Sequence, residues 1–375
     1  MTHAASTASS SSPVTARAAL VGAALVAIML VAILVGARFA LMLLIGLGFG
    51  ITLEGLRFGF AGPWRAMILR REPAGILAQL LCIGVVACFA IPLLSAYPAE
   101  LTGAQAPIGF AMVGGAFLFG AAMQVVLGCG SGTLVNAGSG NPVSLLALPF
   151  FALGSFAGAY HLIWWTNLGV LPILTLRGAP GLAVTLVGLA LVAVVLLLLG
   201  KPGSRGLSRR YIFAALALAG LSVLNLVVAG QPWGVVYGLG LWAAKGVTAL
   251  GVDLSGSAFY AATSSVERLN TSILTDYTSL TNFGIIAGAF GVAAWRSGGL
   301  SQTLPSYPAR AWVTTIVAGL LLGYSSRLAF GCNVGAFFSG IATGSLHGWV
   351  WFAAAFVGAF VGIPIRRLCG LEVVQ

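Results

Sequence analysis

Polar residues in this chain fall between long apolar runs rather than alternating with apolar residues inside them. Apolar segments lie at 18–37, 39–56, 74–95, 107–128, 143–160 and 181–200. After a basic break they resume at 211–229, 233–250, 279–296, 311–328 and 347–365. A run of about 20 apolar residues is the length that crosses the hydrocarbon core of a bilayer as a helix. Another run, 162–176, is short for a crossing. The stretches 129–142, 254–264 and 332–346 are apolar but interrupted by Gly, Ser and Asn. Irregular backbone at membrane depth survives only where it is buried in protein or lines a wet cavity. The pattern therefore predicts an all-α polytopic membrane protein, with roughly nine to eleven spans plus shorter pieces.

One phrase occurs twice. Gly120 to Gly132 reads GAAMQVVLGCGSG, and Gly323 to Gly335 reads GYSSRLAFGCNVG. In both, Gly stands nine residues before a Cys, immediately before it, and three after it. Further on, GSFAG (Gly154 to Gly158) answers GAFVG (Gly358 to Gly362), after a one-residue length difference. GLGFGITLEG (Gly46 to Gly55) and GLGLWAAKG (Gly238 to Gly246) match more loosely, and small residues are common wherever membrane helices approach closely. Short, glycine-interrupted segments at corresponding positions of two halves point to the central site of a transporter. The chain divides accordingly: a tail at 1–16, expected to be disordered, an extra N-terminal span at 17–38, a first repeat at 39–200, a basic loop at 201–210 and a second repeat at 211–368. The parity of spans that separates parallel from inverted repeats stays open, because it depends on which broken segments cross.

Composition supports a bilayer as the solvent. Of 375 residues, 59% are hydrophobic and 7% charged, and the mean hydropathy is +1.04. A soluble domain of this size carries about a quarter charged residues. The net charge of +11 does not form a stripe suited to nucleic acid. Nine of the 18 basic residues cluster in three short breaks: Arg65, Arg70 and Arg71; Lys201, Arg205, Arg209 and Arg210; Arg366 and Arg367. Such breaks face the cytoplasm under the positive-inside rule, which implies a multi-pass protein of the inner (plasma) membrane. Five cysteines, with no C-x-x-C, exclude a disulfide framework and weaken a dithiol oxidoreductase. No nucleotide-binding or catalytic elbow motif is present, and no cofactor is expected.

Cys129 and Cys332 are the first candidates for chemistry. A lone free Cys behaves as a small buried hydrophobe, but packing alone has no reason to place Cys in both copies. Gly128, Gly130 and Gly331 leave the thiols and the neighbouring backbone N–H groups uncovered, and Asn333 adds a polar amide. A helix that starts after such a break turns its free N–H groups and positive dipole end toward the gap. Two of them near the midplane form an anion-binding constriction. A thiol adds a soft contact that favours a sulfur-bearing anion over a hard oxyanion. Glu54 and Arg57, three apart on one helical face, are candidates as intramembrane charges, or else pair with each other at a helix end. Lys245 and Asp253 are weaker candidates of the same kind. Arg327, five residues before Cys332, adds positive potential near the site or marks a helix end. The polar stretch with Glu267, Arg268, Asn270 and Asp276 reads as a solvated, helix-capping loop. His161 and His347 lack metal-ligand spacing.

With the Gly-Cys repeats, the broken helices and LEGLRFGFAGPWR (Leu53 to Arg65), the chain resembles the YeeE/YedE family of sulfur transport membrane proteins over residues 39 to 366. The resemblance implies uptake of thiosulfate or a related sulfur anion. It also implies an hourglass fold with short re-entrant helices, and a central path lined by cysteines, Cys129 and Cys332 among them. A small soluble sulfur-carrier protein on the cytoplasmic side is an implied partner. The family pattern Arg-Phe-Cys-Phe is here Arg57-Phe58-Gly59-Phe60, so a third thiol is missing at Gly59, and Cys88 is a candidate substitute from a neighbouring helix. The alternative is a membrane-embedded thiol enzyme that handles persulfide or disulfide sulfur.

Overall fold

The computed structural model describes residues 13–297 and 307–372. Its elements in chain order begin with α1 (Pro13–Leu34), α2 (Ala37–Gly55), α3 (Ala61–Arg70), α4 (Ala74–Ala96), α5 (Phe110–Val126) and α6 (Gly130–Gly138). There follow α7 (Pro142–Tyr160), α8 (Leu162–Thr166), α9 (Gly178–Leu199), α10 (Arg209–Ala229), α11 (Val236–Ala249), α12 (Ala258–Ala261) and α13 (Thr263–Asn270). The chain closes with α14 (Tyr277–Ser297), α15 (Ala309–Leu328), a π-helical segment Asn333–Phe338, α16 (Ser339–Ala342) and α17 (His347–Leu368). Among the described residues, ten helical stretches are long and apolar enough to cross a membrane. In two of them a helix continues past a break, α5 into α6 and α15 into α16.

Three boundaries differ from the sequence reading. α1 begins at Pro13, so residues 13–16, expected in the tail, are helical; proline preset at φ near −65° opens a helix readily. Residues 1–12 lie outside the described residues. The run 162–176 forms only the five-residue α8 and then an extended segment, where Val170 pairs with Gly109 and Thr175 with Ser345. The run 233–250 yields α11, of 14 residues.

Lipid is as apolar as leucine, so helices in a bilayer associate by close van der Waals approach, which small residues permit. A β-carbon placed on Gly154 or Gly158 of α7 would strike the carbonyls of Leu320 or Tyr324 on α15. Gly323 of α15 is pressed in turn against the Phe151 carbonyl. The same relation joins α17 to α5: Gly358 and Gly362 lie on the Phe117 and Ala121 carbonyls, and Gly120 on that of Ala355. In both pairs residue numbers rise together, so the helices run parallel. α2 and α14 form a third parallel pair through Gly46 and Gly50 against Gly284 and Gly288.

Contacts at the end of α17 and just past it fix the directions of α5 and α15. Arg366 Nη1 donates to the Val125 carbonyl at the end of α5, at 2.6 Å. A β-carbon on Gly370 would lie 2.9 Å from Pro308 Cγ, at the start of α15. The end of α5 therefore lies beside the start of α15, and the two helices run in opposite directions. The three basic breaks meet on this same face. The N–H of Lys201 donates to the Arg71 carbonyl at 2.8 Å, and Glu372 pairs with both Arg65 and Arg367.

Candidate functional site

α5 and α15 end in the same way. Leu127 and Phe330 take left-handed backbone, with φ of 55° and 57°. The following glycines return hydrogen bonds into the finished helix: Gly128 N–H to Met123 at 3.1 Å and Gly331 N–H to Ser326 at 2.8 Å. Cys129 (φ −82°, ψ −166°) and Cys332 (φ −91°, ψ −168°) are then extended. Each cysteine carbonyl accepts the first bond of the next helix, from Thr133 N–H and Ala336 N–H, both at 2.8 Å. A left-handed leucine or phenylalanine costs about 1–2 kcal/mol, so the reversal is held by its surroundings.

The two breaks bring the thiols together. A β-carbon on Gly130 would stand 2.7 Å from Cys332 Sγ, and one on Gly132 would stand 3.6 Å from Cys129 Sγ. Both cysteines are free and fully buried. Their caps differ. The Gly132 N–H donates to Cys129 Sγ at 3.4 Å, and Ser131 Oγ lies at the same distance. Cys332 accepts no capping bond of that kind; the N–H groups of Gly335, Val334 and Gly130 stand around its sulfur. Asn333, also fully buried, has no partner for either amide atom.

A cavity of about 360 Å³ leads to Cys129 and is lined by Glu54, Arg57, Gly59, Gly128, Ser131 and Asn136 among others. Cys332 lies beyond it, behind Gly130. The structure thus brings together Arg57, Gly59, Gly128 and Cys129 along the cavity, and Gly130, Cys332 and Asn333 just past it. Gly331 (φ +152°) makes the bend before Cys332.

Other candidates sit elsewhere. Cys88 is exposed on α4 and does not line the cavity, so it gives no substitute for the thiol missing at Gly59. Cys82 is sealed in the core. Glu54 does not pair with Arg57: its partner is Arg296, at 3.3 Å. The helix ends at Gly55, and left-handed Arg57 (φ 50°) no longer shares a helical face with Glu54. Lys245 Nζ donates to the carbonyls of Leu269 and Thr271, at 2.7 and 2.6 Å. Asp276 accepts from the Ser279 N–H at 2.7 Å, as a helix cap does. His161 lies 3.1 Å from Tyr324 Oη, and His347 lies 2.7 Å from Ser345 Oγ. Arg327 lies at the far end of α15, away from the cavity.

Two residues that hold the site escaped the sequence reading. Gln79 Nε2 donates to the Gly59 carbonyl at 2.9 Å, and Gln124 Nε2 donates to the Ala61 carbonyl at 3.0 Å. Both are fully buried, and together they pin the Gly59 loop over Cys129. An uncharged amide alone in an apolar helix was the available sign.

Comparison with known proteins places the chain among membrane transporters of sulfur species by sequence similarity. The Thiosulfate transporter TsuA of Spirochaeta thermophila is 26% identical over 339 residues, covering 82% of this chain and 93% of that protein. Probable transporter YedE of Escherichia coli K12 is 28% identical over 160 residues, 41% of this chain and 38% of that protein. The Salmonella typhimurium YedE matches with the same identity and coverage. The chain thus spans little more than a third of the YedE proteins' length. Residues 56–361 match the family described as Sulphur transport. That stretch takes in both cysteine breaks and most of the helices that pack around them, and the chain belongs to this sulphur transport family.

Proposed function

We propose that this chain is an inner-membrane transporter that takes up thiosulfate or a related sulfur-containing anion. The substrate passes between Cys129 and Cys332. The observation that carries the reading is the meeting of two thiols, each delivered by the same backbone break, from helices that run in opposite directions. The exchange of partners supports two inverted repeats, 39–200 and 211–368: α5 packs on α17 as α15 packs on α7. In this reading α6 and the 333–342 segment are the re-entrant pieces, and the thiols form the waist of an hourglass. The positive-inside rule puts the basic face in the cytoplasm, so the cavity at Arg57 is the inner funnel.

Each group at the waist has a separate task. Arg57 attracts the anion at the mouth of the inner funnel. N–H groups at the start of α6 and around Cys332 meet the oxygen charge, as helix N-termini do. The thiols are weak donors and polarisable contacts. They suit the sulfur end of thiosulfate and hold it loosely enough for release. The alternative, a thiol enzyme, lacks a base: the side-chain neighbour of Cys129 is a serine. The name of the Spirochaeta thermophila relative favours thiosulfate as the cargo, and a soluble sulfur-carrier protein at the basic face is its expected receiver.

A growth experiment tests the reading. Cells stripped of their own thiosulfate uptake, with thiosulfate as sole sulfur source, grow when given this chain. They do not grow with Cys129→Ala at matched protein levels. Equal growth with both would remove the cysteine path from the account.

A further inference from the structure

The Arg57 cavity serves one face of the molecule, and Arg327 stands near the other. α15 has 20 residues and starts at the basic face, so its last turn lies about 30 Å away. There the Arg327 guanidinium is 5.0 Å from the centroid of Tyr237 and 4.9 Å from that of Phe259. Among the described residues no carboxylate pairs with it, and its solvent-shielded Nε has no hydrogen-bond partner. The neighbouring Arg268 lies over the same Tyr237 ring at 4.6 Å but is matched by Asp276 at 3.8 Å. Arg327 is thus a cation whose charge is met by ring faces, while the Nε of its donor fork, a fork suited to a planar or tetrahedral oxyanion, has no partner.

The space beside it is closed in this conformation. Tyr237, Phe259, Tyr260, Ser265 and Leu269 enclose about 10 Å³ with Arg327, room for a single water. Phe259 and Tyr260 belong to α12, and Ser265 and Leu269 to α13. This roof is joined to the bundle through a small apolar cluster of its own, centred on Ala159, Ala244, Leu254 and Tyr260 and separate from the main core. A segment held by so few buried contacts opens at low cost. Lys245 fastens the end of α13 and gives the roof a fixed edge.

We propose that Arg327 is the outer capture site for the transported anion, covered here by an α12–α13 lid. The inference rests on the transporter reading and extends it. A guanidinium site without a thiol reads oxyanion charge and not sulfur. It therefore accepts sulfate as readily as thiosulfate, and discrimination falls to Cys332 and Cys129 behind it. A lid closed over Arg327, with the inner funnel open, is one end state of alternating access.

The test combines binding and uptake. Isothermal titration of the detergent-solubilised protein with sodium sulfate is expected to show one site in the wild type. That site is absent in Arg327→Gln and weakened in Arg327→Lys, which keeps the charge but loses the fork. In proteoliposomes, external sulfate is expected to compete with labelled thiosulfate without being accumulated. Arg327→Gln is expected to raise the KM for thiosulfate by at least about tenfold, with the maximal rate within about twofold and sulfate inhibition lost. Phe259→Ala keeps the fork, so it keeps sulfate binding and controls for damage to the fold. Sulfate binding that is equal in wild type and Arg327→Gln overturns the capture site. Failure of the wild type to move thiosulfate is read separately and bears on the transporter reading, because the titration stands without it.

Discussion

The missing side chain at Gly130 makes room for the thiol of Cys332. A β-carbon there would stand 2.7 Å from Cys332 Sγ, and that sulfur ends a side chain that can shift. Gly130→Ala is therefore expected to leave the fold intact and to narrow the waist. Uptake of labelled thiosulfate should fall at least about tenfold, with gel-filtration behaviour unchanged. Gly59 presents the opposite situation, because a β-carbon there meets no atom within 4 Å. Gly59→Cys should be tolerated with less than about 0.5 kcal/mol change in stability. It should also place a third thiol in the inner funnel, where a thiol-reactive probe added from the basic side labels it. At this scale the duplication visible in the sequence marked the two matching backbone breaks at Cys129 and Cys332. The sequence misled at Glu54, whose partner Arg296 is far away in the chain. A local spacing rule found Arg57 instead, and nothing in the spacing revealed that α2 stops before Arg57.

Among elements, the glycines that decide helix packing are those pressed against backbone of the facing helix. Gly358→Ala must push α17 off the Phe117 carbonyl of α5, whereas Gly114→Ala meets nothing within 4 Å. The first is expected to cost about 1–3 kcal/mol and the second close to none, read as thermal unfolding of the two variants in the same detergent. Most spans were legible because length and apolarity are enough to mark a crossing. The run 162–176 was not, because apolar residues on an extended surface segment, such as Leu171 and Ile173, look the same in composition as those in a helix. The pairing of α7 with α15 and of α5 with α17 was present in GSFAG and GAFVG only as small residues. Which helix each would meet is a property of the assembled bundle.

For the whole molecule, the direction of the two halves could not be counted from the sequence, since α6, α8, α11 and α16 leave the number of crossings open. Contacts at the end of α17 tie the end of α5 to the start of α15, which supports the inverted arrangement proposed above. The arrangement proposed on this basis is two-sided: an inner funnel at Arg57, a waist of two thiols, and a closed outer face at Arg327. The proposed path predicts transport by this chain without a partner protein. The most direct measurement is uptake of labelled thiosulfate by proteoliposomes containing only this chain, compared with Cys129→Ala and Cys332→Ala. The account predicts uptake by the wild type and loss in both variants at equal incorporation. Uptake by the variants at the wild-type rate would contradict it.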